Sequence, residues 1–369
     1  MSSRLIRRAI ALSAVLGIPV GLVAVTNTAA SASDGRAPTV YTLSNETSGN
    51  RVLAYAAGAD GSLTPAGSYP TGGLGSGGGL GSQGAVVVTS DRRHLLAVNA
   101  GSDSVSELAI ARDGSLRLIG TVPSGGRKPI SVTVHDDTAF VLNGDDSTIS
   151  GIRLDDGLEP IAGSTRHLSG TGGAQVSFTP RGRQLVVTEK ASNLIDVFKV
   201  DDDGNVSNAT ATPSTGVTPF GFAFDRRSHL LVSNAAGGAA GASSVTSYDI
   251  KRDGTAFVLA GPVGTNQTAA CWVVVTADGR FAYTTNTASG TISGYRVAPD
   301  GGLALLNANG VTATVGKGPI NASIVRGELY TVNAGSHTIT VDHIAGDGSL
   351  TPGPTLSGLP TSAVGLVTI

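Results

Sequence analysis

The chain has 369 residues, 52 of them glycine, with 4% aromatic and 14% charged residues and a formal net charge of −2. That length gives one large core or two domains, and a near-neutral chain with no basic stripe argues against nucleic acid as a partner. Cys271 is the single cysteine, which excludes an intrachain disulfide and any cysteine-built zinc site.

In chain order, the first feature is an apolar run over residues 9–25, preceded by Arg4, Arg7 and Arg8 and followed by small residues at 30–32. Basic, then apolar, then small is the order of an export signal. Arg7-Arg8 fits a twin-arginine signal only loosely, and a retained N-terminal anchor is the alternative; Pro19 and Gly21 interrupt the run as a membrane span. Residues 1–32 are therefore read as a signal peptide and 33–38 as an unstructured start. The mature protein is expected to be secreted, monomeric and without a membrane span.

From residue 39 onward short Val-, Thr- and Ala-rich runs alternate with turns. Asp-Gly pairs recur at Asp60, Asp113, Asp156, Asp203, Asp253, Asp300 and Asp347, with spacings of 53, 43, 47, 50, 47 and 47. A second marker keeps the same beat: Asn45, Asn99, Asn143, Glu189, Asn234, Asn286 and Asn333 each end a run. In five copies an apolar residue follows six positions later (Val105, Ile149, Ile195, Ile292, Ile339). Residues 272–317 show one unit whole: runs over 272–276, 281–285, 291–297 and 303–307, separated by turn residues. This is a four-stranded antiparallel meander, which is not stable alone because its faces and edges stay open.

Seven strand-built units at this period predict an all-β, seven-bladed β-propeller of four-stranded antiparallel blades over 39–369. Inner strands begin near Val86, Val132, Val176, Phe222, Trp272 and Ala322, so the first unit lacks one. Residues 365–369 read like the others, and the C-terminal strand is expected to join the N-terminal blade and close the ring.

The Asn turns and the blade-to-blade connections share one face, the top. It also carries Gly-rich insertions at 72–84 and 237–242, read either as lids or as padding. Two sets of residues are expected at the channel mouth there: the Asn series and the strand ends Ser131, Gln175, Gly221, Cys271, Asn321 and Ser362. Glu189 is the one carboxylate in the Asn series. It is read as a general acid or base, or else as half of a surface salt bridge with Lys190 or Arg127. Arg127 and Lys128 are placed to hold a carboxylate or phosphate, and Asn143, Gln175 and Lys190 complete the substrate-binding set. Cys271 reads as a small buried hydrophobe. The run at 201–205 is faintly like a calcium loop but lacks its Glu, and the six histidines are scattered; neither a metal nor another cofactor is expected.

The stretches VSFTPRGRQLVVTEKASNLIDVFKV (176–200), WVVVTADGRFAYTTNTASGTISGYRV (272–297) and LYTVNAGSHTITVDHIAGDGSLTP (329–352) resemble the seven-bladed lactonase family, which includes bacterial 6-phosphogluconolactonase and fungal carboxymuconate cyclase. The resemblance spans about residues 39–369. It implies a propeller with its site at the channel mouth, built from His, Glu and Arg. The family's Pro-His before an inner strand is replaced here by Ala174-Gln175, Pro129-Ile130, Pro219-Phe220 and Pro319-Ile320, whereas Glu189 matches the family's carboxylate. Two leading functions follow, with a structural extracellular protein as a third reading. One is an exported lactonase-like enzyme acting on a lactone or related cyclic acid, with Glu189 as base and Arg127, Lys128 or Lys190 as its cationic partner. The other is a non-catalytic extracellular propeller binding a small molecule, glycan or protein on its top face.

Overall fold

A computed structural model describes residues 37–155 and 157–369. The export signal expected over 1–32 lies outside them, as do residues 33–36 and Asp156. Among the described residues no helix is long and apolar enough to cross a membrane.

Seven antiparallel sheets make the propeller. Blade 1 is built from Thr39–Leu43, Arg51–Ala57 and Leu63–Pro70, and its inner strand is Val364–Thr368 from the other end of the chain. Val40 pairs with Thr368 and Leu43 with Val364, so the expected closure of the ring is present. The inner strands of blades 2–7 are Val86–Val88, Pro129–His135, Gly173–Phe178, Pro219–Phe224, Ala270–Val275 and Pro319–Val325. The alternating Val, Leu, Ile and Phe of the strands are buried between neighbouring blades.

The Asp-Gly turns work as their sequence suggests. Gly61, Gly114, Gly254, Gly301 and Gly348 all have positive φ, and the Asp before each accepts a backbone N–H two residues on, as Asp113 does from Ser115 at 2.9 Å. Short polar side chains that mimic a turn in this way favour such corners.

The outer strands of blades 3 and 6 depart from the expected single run. Each is split, into Glu159–Pro160 and Arg166–His167, and into Leu303–Leu305 and Ala313–Thr314, both pieces pairing with the same third strand. In blade 6 the break is held by Ser293, whose hydroxyl donates to Gly310 O at 2.5 Å, and by Thr312 bonding Asn307.

The inner strands also begin earlier than sequence spacing suggests. Five of them contain a register shift at the top end, such as that between Pro129 and Ser131, or between Gly173 and Gln175. A bulge adds one residue to one strand and re-aims its side chain. Here it turns Ser131, Gln175 and Asn321 toward the adjoining blade.

Candidate functional site

The residues at the top ends of the inner strands form a ring of staples between blades. Val176 N donates to Ser131 Oγ at 3.2 Å. Gln175 makes a matched pair with the next blade: Phe222 N donates to its Oε1 at 2.7 Å, and its Nε2 donates to Phe222 O at 3.0 Å. Gly365 N donates to Asn321 Oδ1 at 2.9 Å. In blades 4, 5 and 1 a side chain of the preceding blade thus satisfies part of the channel-facing edge of the innermost strand. An unpaired buried N–H would otherwise cost free energy comparable to a lost hydrogen bond.

Blade 5 has glycine, Gly221, at this position, and the missing side chain is supplied by the insertion at 72–84. Val273 N donates to Gln83 Oε1 at 3.1 Å, and Gln83 Nε2 donates to Val273 O at 2.9 Å, the pair of bonds that Gln175 makes one blade earlier. A Cβ on Gly221 would lie 2.3 Å from Gln83 Oε1, so only glycine leaves room for it. The insertion thus lies across the mouth. Ser82 Oγ donates to Ile130 O at 2.6 Å, Gln83 N to Ala174 O at 3.1 Å, Val132 N to Gly84 O at 2.8 Å, and Trp272 Nε1 to Ser82 O at 2.8 Å. Its first half is fixed on blade 1 by Asn45, which accepts from Ser76 N and donates to Gly78 O. The second insertion, around Ala236–Gly238, is a short exposed 3-10 turn.

Beneath Gln83 lies a cavity of about 250 Å3 lined by Val86, Val87, Val88, Val132, Val176, Ala322, Leu366 and Val367, with Thr133, Gln175, Ser177 and Asn321 as its polar groups. None of these lining residues is charged.

The structure separates the six residues singled out from the sequence. Lys190 reaches the mouth. Its Nζ donates to Gly81 O at 2.5 Å and lies 4.7 Å from the centre of the Phe220 ring, which itself packs on Trp272. Burial pulls the Lys190 pKa below the ordinary lysine range, Cys271 opposes this, and Lys128 adds to it. Gln175 stands at the mouth as a staple. Arg127 and Lys128 lie on the outer rim, already engaged: Arg127 Nε sits 2.7 Å from Asp146 Oδ1, Lys128 Nζ sits 3.5 Å from Asp145, and Lys128 N donates to Asp103. Cys271 is buried, and burial pushes its thiol up to about 11.

Asn143 and Glu189 lie inside their blades and not in the mouth, which corrects the placement of the whole Asn series there. Five of the six Asn sit at the end of their second strand and donate to hydroxyls on the third, among them Asn99 to Ser104 and Ser106, Asn143 to Thr148 and Ser150, and Asn286 to Thr291 and Ser293; Asn45 lies past its strand and binds the 72–84 insertion instead. The partners are five and seven residues on, or ten and twelve for Asn234, whose blade carries the second insertion. A glycine backbone closes the slot from above, because a Cβ on Gly126, Gly216 or Gly316 would strike Asn143, Asn234 or Asn333.

In blade 4 the slot holds carboxyls. Glu189 has no exposed surface, and its carboxyl is hydrogen-bonded to that of Asp196, seven residues on, and to the Ser192 hydroxyl. Asp196 Oδ2 accepts from Ser169 N at 2.7 Å. Glu189 Oε1 and Asp196 Oδ1 have no donor among the described residues, and a proton held on Glu189 supplies one. Burial, then the Asp196 hydrogen bond, push Glu189 up to about 8 against the opposing Ser192 bond. Neither Lys190 nor Arg127 forms the expected salt bridge with Glu189: Glu189 ends its strand buried in the slot, Lys190 is the turn residue after it and reaches Gly81 O, and Arg127 is paired with Asp146.

A ring of stapled blades around a channel whose mouth gathers hydrogen-bond donors defines a seven-bladed propeller with a ligand-sized top site. Residues 36–158 and 156–240 match the family described as Lactonase, 7-bladed beta-propeller; together these cover more than half of the chain, and the chain belongs to that family. It is 26% identical over 137 residues to the 6-phosphogluconolactonase of Pectobacterium atrosepticum, covering 35% of this chain and 40% of that protein. It is 26% identical over 196 residues to that of Photorhabdus laumondii, covering 51% and 58%. The matches thus span only about half the length of these relatives. In fold it is similar to a protein from Lactobacillus plantarum (TM-score 0.73, 18% identity, 90% of this chain and 99% of the other). It is also similar to the periplasmic gluconolactonase of Pseudomonas aeruginosa (TM-score 0.66, 18% identity, 88% and 98%).

Proposed function

We propose that the protein is an exported lactonase that opens a lactone or related cyclic acid at the top mouth of its channel. The observation that carries this reading is the convergence of two donors, Lys190 Nζ and Trp272 Nε1, on adjacent carbonyl oxygens, those of Gly81 and Ser82. Donors fixed in a water-poor site stabilise the oxyanion that forms when water adds to a lactone carbonyl, and in acyl transfer such stabilisation often accounts for more of the rate than any other effect. Family membership supports the same chemistry, as do the 6-phosphogluconolactonase relatives. In this reading Lys190 is the electrophilic residue, and Lys128 adds positive potential at the rim. Arg127 is held by Asp146 away from the reacting carbonyl. Glu189, protonated in its slot below about pH 8, supports the strand that carries Lys190 and does not serve as the base.

Lys190→Met keeps the packing on Phe220 and removes the donor. It is expected to lower kcat/KM on aldonolactones by about 100-fold, the usual size of one oxyanion donor, with the melting temperature little changed. A variant as active as wild type would remove Lys190 from the reaction.

One observation favours a second reading, a binding propeller without turnover: the cavity lining carries no acid or base. In that case a small neutral ligand or glycan raises the melting temperature through binding to the folded state and is recovered intact.

A further inference from the structure

We propose that the segment 79–84 occupies the ligand site as an internal surrogate, and that the site beneath it takes an uncharged polyhydroxy lactone. This rests on the lactonase reading for the class of ligand, but the site itself is read from what the segment touches.

Gly81, Ser82 and Gln83 make the hydrogen bonds of a bound molecule. Two consecutive carbonyl oxygens take Lys190 Nζ and Trp272 Nε1. The Gln83 carboxamide takes Val273 N and gives to Val273 O. Lifting the segment would leave those two donors and the Val273 pair open around one space in the mouth, together with Ile130 O, Ala174 O and Val132 N, which it also engages. A carbonyl with its ring oxygen fits the first pair, and a hydroxyl, which both donates and accepts, fits the second. Among the described residues Lys190 is the one cation hydrogen-bonded to the segment, so nothing at this point is built to hold a phosphate; Arg127 is occupied by Asp146 and Lys128 by Asp145 on the rim.

The segment is also built to move as a piece. Its base at residues 72–78 is docked on blades 1 and 2, with Gly75 N on Glu46 O and Gly101 N on Leu74 O. At the end of the base and just past it, Gly78 and Gly79 have open space around the position of a Cβ. Positive φ at Gly77, Gly81 and Gly84 places glycine, the residue freest to change backbone angles, at both ends and in the middle of the arm. Leu80 is its only apolar anchor in the core.

Trp272 is the only tryptophan in the chain, so its fluorescence reports the arm directly. Gln83→Ala removes both staple bonds, and Gln83→Leu removes them while keeping the bulk of the side chain. The probe is a polyhydroxy δ-lactam, which carries the lactone's carbonyl and hydroxyls and does not open. Both variants are expected to show a red-shifted Trp272 emission. Both are also expected to bind the lactam at least about tenfold more tightly than wild type, because the fraction of open protein sets the apparent affinity. If one variant fails to fold, the other carries the test. Affinity equal to wild type in folded variants, or no lactam binding in any of them, overturns the proposal. Lactone turnover is measured separately. Tighter lactam binding without turnover leaves the site standing and removes the lactonase reading; turnover with unchanged lactam affinity does the reverse.

Discussion

Glu189→Gln is expected to melt with wild type near pH 5 and well above it at pH 9. In wild type Glu189, buried beside Asp196, keeps its proton in the folded state. Glu189 gives up its proton at about 4.5 in the unfolded chain and at about 8 in the folded one, so between those values the folded state holds the extra proton. Stability from this source is complete below pH 4.5 and is lost as pH rises through 8. At about 1.4 kcal/mol per pH unit, the full loss is at most about 5 kcal/mol. A glutamine donates permanently to the Asp196 carboxylate, as the other blades' Asn donates to Ser or Thr, and has nothing to lose. Asp342, buried and pushed up to about 6, slopes the same way in both proteins, so the difference between the two curves isolates the pair. Asp196→Ala should keep the steep alkaline loss. Parallel melting profiles for wild type and Glu189→Gln from pH 5 to 9 would dismiss the proton held on Glu189. Lost lactone turnover in Glu189→Gln at an unchanged melting temperature would return Glu189 to the reaction.

Deleting residues 364–369 is expected to abolish a single cooperative melt. The deletion bares the edge of Thr39–Leu43 and removes Val364 and Leu366 from the core, each worth about 1.5–3 kcal/mol of burial. It also takes away the bonds of Gly365 to Asn321 and Thr42, and of Thr368 to Ser323. If any folded form persists, its melting temperature should fall by on the order of 10 °C. A sharp transition within about 3 °C of wild type, followed by calorimetry, would mean that the ring does not depend on its closing strand.

The ring was legible because its determinants are local and repeat. An Asp-Gly corner and an Asn at each second strand's end need only their near neighbours to act, so each copy carries the full signal. Glu189 was legible as an exception but not as half of a pair. The clue was present: position +7 is Ser106, Ser150, Ser293 and Thr340 in four other blades and Asp196 in blade 4, a second exception in register with the first. The mouth was not legible. Its ring of staples depends on bulges that shift one residue out of strand register, and Gln83 reaches Val273 across 190 positions of sequence. A glycine-rich run gives no periodic sign of where it docks, and Gly221 looks unremarkable until its empty place is seen to be filled from elsewhere.

The staples bear on how such a ring could be rebuilt from its parts. A sheet cut out of blade 4 brings Gln175, which serves the sheet after it, and leaves behind Ser131, which served its own. Grafts made at sheet boundaries would therefore mismatch at both seams, whereas a cassette running from one bulge to the next carries giver and receiver together. Blade 5 is the exception that no cassette can copy alone, since its contribution is lodged in a distant part of the chain.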